Sequence, residues 1–227
     1  MTAHVEVKIC GITDEDAMDA AIEAGADYVG LVFFPPSPRA VTPERAAELV
    51  EFAPGEVTKV GLFVDPDDAL LDRVLTQVRL DLLQLHGAET PERIEAIRLE
   101  YGLPVMKVIG LAAAADLAAA EPFLAVSDRL LFDARPPKGA TLPGGNAVSF
   151  DWTILKGRSW GLPWMLAGAL GNRQQDARQL LAEVRAQKLA DPAGASSARL
   201  SAYEVSPEDP TVQRAVLNQR DEVVQEG

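Results

Sequence analysis

The sequence predicts an α/β protein of the (β/α)8, or TIM, barrel class, and three observations predict it. Seven short β-rich runs recur along the 227 residues, with room for one helix between neighbours. Several of the intervening segments open with helix-capping residues and carry apolar side chains at helical spacing. The first run is not followed by G-x-G-x-x-G, the fingerprint of the open dinucleotide-binding sheet that the same alternation would also fit.

The runs are VEVKIC (5–10), YVGLVFF (28–34), VTKVGLFV (57–64), LLQLH (82–86), PVMKVIG (104–110), LLFD (130–133) and PWMLAG (163–168). Most are nearly continuous in apolar residues, as strands of a parallel sheet covered on both faces must be. DEDAMDAAIEAGA (14–26) places Ala17, Ala20, Ala21 and Ala24 on one helical face, takes Thr13-Asp14 as its cap and stops at Gly25. TPERAAELVEFA (42–53), DPDDALLDRVLTQV (65–78) and TPERIEAIRLEYG (90–102) repeat that grammar, with Thr42, Asp65 and Thr90 as caps and proline at the first helical position. Steady strand, helix, strand alternation builds a parallel sheet, and the chain approaches the roughly 250 residues typical of a closed barrel.

Two segments compete for the eighth strand. QKLADPAGASS (187–197) contains Pro192 and Gly194, poor choices for a central strand. ARLSAYEV (198–205) alternates better, with Leu200, Ala202 and Val205 apolar, and runs directly into SPEDP. Either closes the barrel. No linker rich in Gly, Ser or Pro divides the chain, so residues 1–227 read as a single domain with an atypical eighth-strand region and an irregular stretch at 187–227.

With 48% apolar residues the chain can bury a sizeable core, which argues against disorder throughout. The balance of 34 acidic and 21 basic residues leaves a net charge of -13, which opposes nucleic acid and anionic membrane as partners. An anionic ligand must then be caught by a local device. One cysteine permits no internal disulfide, and MTAHVEVKICGI lacks the layout of a secretory signal, so a cytoplasmic location is expected.

In a parallel barrel the carboxyl ends of the strands form the active-site mouth. Cys10, His86, Asp133 and Gly168 all fall there. A lone cysteine is commonly a small buried hydrophobe. Strand parity, however, puts Cys10 on the side of Glu6 and Lys8 rather than of Val7 and Ile9, and a helix amino end, which favours thiolate, follows it. Asp133 precedes ARPPKGATLPGGNAVSF, a long connection suited to covering a substrate; as a plain structural residue it would cap a helix or pair with Arg135. His86 reads equally as a turn residue before Gly87. Arg39 lies among Pro35, Pro36 and Pro38, which stiffen its loop as an anion clamp requires. Gly144, Gly145 and Gly168 offer backbone N–H groups to a phosphate, as the late loops of such barrels often do. Neither His4 nor His86 has a second ligand at metal-binding spacing, so no metal and no other cofactor is expected.

KICGIT (8–13), GLVFFPPSPR (30–39), VGLFVD (60–65), LQLHG (83–87), LLFDA (130–134) and PGGNAVSFDW (143–152) together resemble the phosphoribosylanthranilate isomerases of tryptophan biosynthesis, in order from residue 5 to about 170. The resemblance implies a cofactor-free barrel, monomeric or homodimeric, acting on a small phosphoribosyl substrate. It implies the Amadori rearrangement of N-(5'-phosphoribosyl)anthranilate to 1-(o-carboxyphenylamino)-1-deoxyribulose 5-phosphate. It puts Cys10 on the family's general base and Asp133 on its general acid, sets Arg39 against the anthranilate carboxylate and lines the pocket with His86.

The sequence departs from that family late. LAGAL has Ala169 where the pattern LSGGL or LAGGL carries its second glycine. AGASSARL (193–200) stands for DVSSGVE after the eighth strand; it retains Ser196 and Ser197 as phosphate contacts, with Gly194 and Ala198 at the Asp and Gly positions. Two other functions remain open on the residues: a related phosphosugar aminoaldose isomerase with a different aromatic partner, and an impaired barrel that only binds phosphorylated metabolites.

Overall fold

The computed structural model describes residues 6–23, 25–136, 139, 140, 142, 150–156, 158–167 and, as backbone, 200–205. Eight strands, β1 (Lys8–Cys10), β2 (Tyr28–Val32), β3 (Thr58–Phe63), β4 (Leu82–Leu85), β5 (Val105–Leu111), β6 (Arg129–Ala134), β7 (Trp164–Leu166) and β8 (Leu200–Val205), follow one another around a closed barrel. Every neighbouring pair is parallel, and β8 pairs with both β7 and β1. Of the two candidates for the eighth strand, the second supplies it. Pro192 would have deprived the first of a ladder donor.

Side-chain alternation divides the strands into two layers. Tyr28, Val60, Leu82, Met106, Val108, Leu131, Met165 and Ala167 pack together inside the barrel. Their strand neighbours Val29, Leu31, Phe63, Leu83, Leu85 and Val105 face the helices and join a second core. Burial on both faces accounts for the near-continuous apolar runs.

Around the first half of the barrel the connections are α-helices: α1 (Glu15–Glu23), α2 (Pro43–Phe52), α3 (Asp68–Leu75) and α4 (Pro91–Tyr101). Thr42 and Thr90 cap α2 and α4 by accepting from the Arg45 and Arg93 N–H groups, with proline at the first helical position. Asp14 Oδ1 caps α1 by accepting from Ala17 N–H at 2.8 Å. Two expectations need correction. The residues of α1 buried in the core are Met18 and Ala21, while Ala17 and Ala20 are half-buried, because the longer Met18 side chain reaches the strands. The cap of α3 is Asp67, which accepts from Leu70 N–H at 2.8 Å, and not Asp65. Asp65 takes a left-handed φ of 45° and turns its carboxylate to Ala88 N–H in the next loop.

Beyond β5 the described connecting helices are 3₁₀. Residues Ala114–Phe123 form a 3₁₀ helix with Pro122 inside it, and Trp152–Leu155 form another. Proline removes a donor and clashes with the preceding turn, so the run AAADLAAAEPF does not continue as α-helix. No helix among the described residues is long and apolar enough to cross a membrane.

Candidate active site

The carboxyl-terminal mouth is built from inward-facing strand ends. In an eight-stranded barrel of shear eight, height rises by one residue from strand to strand relative to the hydrogen-bonded partner. The registers Cys10↔Gly30↔Val60 and Gly110↔Asp133 then set Cys10 level with Leu62, Val108 and Ala167. Val32, His86 and Asp133 form the next layer outward. Packing agrees, since Cys10 clusters with Val32 and Leu62.

Cys10 is 1% exposed. Its sulfur lies over the Cα of Gly30, where a Cβ would sit 2.8 Å from Sγ, so the thiol occupies space that only glycine leaves. Gly11, the next residue, turns the chain with φ of 89° and lets the Arg39 side chain lie on its bare Cα. Arg39 Nη1 donates to the Cys10 carbonyl at 2.7 Å. Its own N–H donates to Ser37 Oγ at 3.2 Å, which fixes the proline-rich loop from within. The sequence offers the amino end of α1 as support for a thiolate, but Asp14 already caps that end and Glu15 and Asp16 fill its first turn. Arg39 brings a cation to the same strand end through the Cys10 backbone carbonyl.

Asp133 is 7% exposed, ends an otherwise apolar strand and accepts from Ala134 N–H at 2.7 Å through Oδ1. Its other oxygen lies 3.4 Å from His86 Nε2. The alternative partner, Arg135, pairs instead with Asp116 at 2.7 Å. His86 is therefore more than a turn residue: it follows β4, donates its N–H to Phe63 O at 2.8 Å and puts its ring against the Asp133 carboxylate. Asp116 also accepts from the Ala112 and Ala113 N–H groups; these bonds first, and Arg135 after them, hold its carboxyl below the usual carboxylate range.

Gly144, Gly145, Gly168, Ser196 and Ser197 lie outside the described residues, as do Ala169, Gly194 and Ala198. Three residues in or behind the mouth escaped the sequence reading: Gly30, Glu89 and Lys107. The legible signal was Lys107, a charge on the otherwise apolar helix-facing side of PVMKVIG.

Comparison with known proteins decides what this mouth belongs to. The family model described as N-(5'phosphoribosyl)anthranilate (PRA) isomerase matches residues 7–175. The chain belongs to the N-(5'-phosphoribosyl)anthranilate isomerase family. The N-(5'-phosphoribosyl)anthranilate isomerase of Paramagnetospirillum magneticum is 86% identical over 166 residues, 73% of this chain and 77% of that one. Its counterpart from Rhodospirillum rubrum is 58% identical over 168 residues, 72% of this chain and 77% of that one. The solved phosphoribosyl anthranilate isomerase of Thermotoga maritima superposes with a TM-score of 0.72 at 26% identity, covering 96% of this chain and all of that one, 100%. Another solved isomerase, in complex with reduced 1-(o-carboxyphenylamino)-1-deoxyribulose 5-phosphate, gives a TM-score of 0.69 at 25% identity over 96% of this chain and 100% of that one. The isomerase family model thus spans the segments that build Cys10, Arg39, His86 and Asp133, and stops before β8.

Proposed function

We propose that in this isomerase Asp133 is the general acid and Cys10 the general base of the Amadori rearrangement that converts N-(5'-phosphoribosyl)anthranilate to 1-(o-carboxyphenylamino)-1-deoxyribulose 5-phosphate in tryptophan biosynthesis. Asp133 gives its proton to the furanose ring oxygen. The bond from that oxygen to C1 breaks as the anthranilate nitrogen pushes in its lone pair, leaving an open-chain Schiff base. Cys10, as thiolate, takes the C2 proton, and the released electron pair forms the C1=C2 bond of the enolamine while neutralising the iminium. The enolamine becomes the aminoketose when C1 takes up a proton and the C2 hydroxyl gives one up.

One observation carries this reading: a thiol and a carboxyl are the outermost inward-facing side chains of β1 and β6 at the same mouth, and both are buried. Ring opening needs a donor and enolisation needs only a modest base, because the adjacent iminium acidifies C2. A site shielded from water strengthens each charge interaction within it. The bond that holds Arg39 to the Cys10 carbonyl supports Arg39 as the cation for the anthranilate carboxylate. Gly144, Gly145 and Gly168, in segments that follow β6 and β7, are the candidates for the phosphate.

The test is turnover of the anthranilate-linked substrate, followed by loss of its fluorescence. Cys10→Ala and Asp133→Asn are each expected to lower kcat by about 10² to 10⁴ while the circular dichroism stays that of the parent. Undiminished turnover in either variant would remove that residue's role. Rescue of a tryptophan auxotroph by the parent, and not by the variants, tests substrate and rate together.

A further inference from the structure

Lys107 stands where β5 has no packing reason to carry a charge. Val105, Ile109 and Leu111 share its side of the strand, and all are buried in the layer facing the helices. The lysine is buried with them. Its Nζ donates to Glu89 Oε2 at 2.6 Å and to the Gly87 carbonyl at 2.7 Å, with the Phe123 ring centroid 5.5 Å away. Glu89, equally buried, accepts from Gly87 N–H at 3.0 Å and from Asp65 N–H at 2.9 Å. Asp65 answers across the same gap, its Oδ1 accepting from Ala88 N–H at 2.7 Å. The knot thereby joins β5 to the loops that follow β3 and β4.

Two features mark the knot as more than stabilising. A buried ion pair is a weak stability device, since an apolar pair of similar volume packs as well or better. What an apolar pair lacks is the means to bind, all at once, a carbonyl and N–H groups belonging to one loop. Asp65 also keeps a left-handed φ of 45°, a strained conformation for a residue other than glycine, which persists only where the surroundings over-determine it. The loop so held begins with His86. With His86 N–H on Phe63 O, Gly87 N–H on Glu89 and Ala88 N–H on Asp65, each amide of residues 86–88 is fixed to a neighbouring element or to the knot.

We infer that Asp65, Glu89 and Lys107 are positioning residues for the isomerisation: they hold His86 at the height where its ring meets the Asp133 carboxylate. The inference rests on Asp133 being the general acid. Its test is the paired exchange Glu89→Gln with Lys107→Met, which removes both buried charges and leaves an amide oxygen for the loop. The sequence contains two histidines, so a His4→Gln background leaves the His86 ring as the one imidazole signal in a nuclear magnetic resonance spectrum. The paired variant is expected to shift that signal, to lower kcat by about tenfold and to leave KM within about twofold, as a small misplacement of a reacting group does. A folded paired variant with the parent's His86 signal and kcat would overturn the inference. Should it fail to fold, Asp65→Gly accepts the φ, deletes only the bond to Ala88 and is expected to move the same signal with a kcat loss of about threefold. An unmoved signal there overturns the inference equally. Full activity in Asp133→Asn would instead defeat the acid assignment, and the His86 signal would still report whether the knot fixes the loop.

Discussion

The two ends of the barrel both carry polar side chains on inward-facing positions, and they use them in opposite ways. At the amino-terminal floor, Tyr28 donates its hydroxyl to Glu6 at 3.1 Å, and Arg129 lies 5.5 Å from the Tyr28 ring centroid with Nη1 3.7 Å from the same Glu6. These groups turn toward one another. At the mouth, Cys10 and Asp133 end the inward-facing rows of β1 and β6, where Asp133 accepts from its neighbour's N–H and faces His86. Polar groups turned toward one another at the floor hold a barrel together, while those at the carboxyl-terminal mouth are where a barrel meets its substrate. The knot of Asp65, Glu89 and Lys107 is an intermediate case: its charges turn toward one another as at the floor, but it lies behind the loops that follow β3 and β4.

The contrast breaks most severely if the mouth proves structural. Loss of kcat by about 10² to 10⁴ in Cys10→Ala and Asp133→Asn, with melting temperatures near the parent's, is the largest expected effect. Gly30→Ala sharpens it, since the new Cβ would overlap the Cys10 sulfur at 2.8 Å. We expect a stability cost of about 1 to 3 kcal/mol from overpacking and a kcat loss of about tenfold from the displaced thiol, measured by urea unfolding and by turnover. At the floor the signature should reverse. Tyr28→Phe deletes the hydroxyl bonded to Glu6 and should lower stability by about 1 kcal/mol while kcat stays within about twofold.

The smallest effect is one of pH. Burial, first among the causes, pushes the Tyr28 phenol up to about 12. A group whose folded value lies above its unfolded one, about 10, favours the native state fully below that unfolded value. That contribution fades as pH rises from about 10 toward about 12. Unfolding free energies measured across this range should fall less steeply in Tyr28→Phe than in the parent. Tyr101, which burial and its bond to Asp72 also raise to about 12, keeps its share of the slope in both. Identical slopes would mean the floor leaves its phenol as accessible to ionisation as the unfolded chain does.

Much of the fold was legible because its signals are short-ranged. Thr42 and Thr90 announce α2 and α4 through a hydroxyl and an N–H three residues apart, and YVGLV needs only its own composition to read as a strand buried on both faces. The errors fall where a distant partner overrides local grammar. Asp65 in DPDD looks like a cap, yet Ala88 claims its carboxylate from 23 residues away. Local sequence left His86 equally readable as a turn residue, because Asp133, which its ring faces, lies on another strand.

By itself the sequence determined the alternation, the caps of α2 and α4, and the strand ends on which Cys10, His86 and Asp133 stand, since each depends on residues within about one helical turn or on the two-residue period of a strand. Only the tertiary structure decided that Arg39 lies on Gly11 and grips the Cys10 carbonyl, that Gly30 makes room for the sulfur, and that Glu89 and Lys107 brace the His86 loop. Those contacts come from barrel closure, in which tilted strands bring residues far apart in the chain to one height, and no local pattern encodes which of them meet.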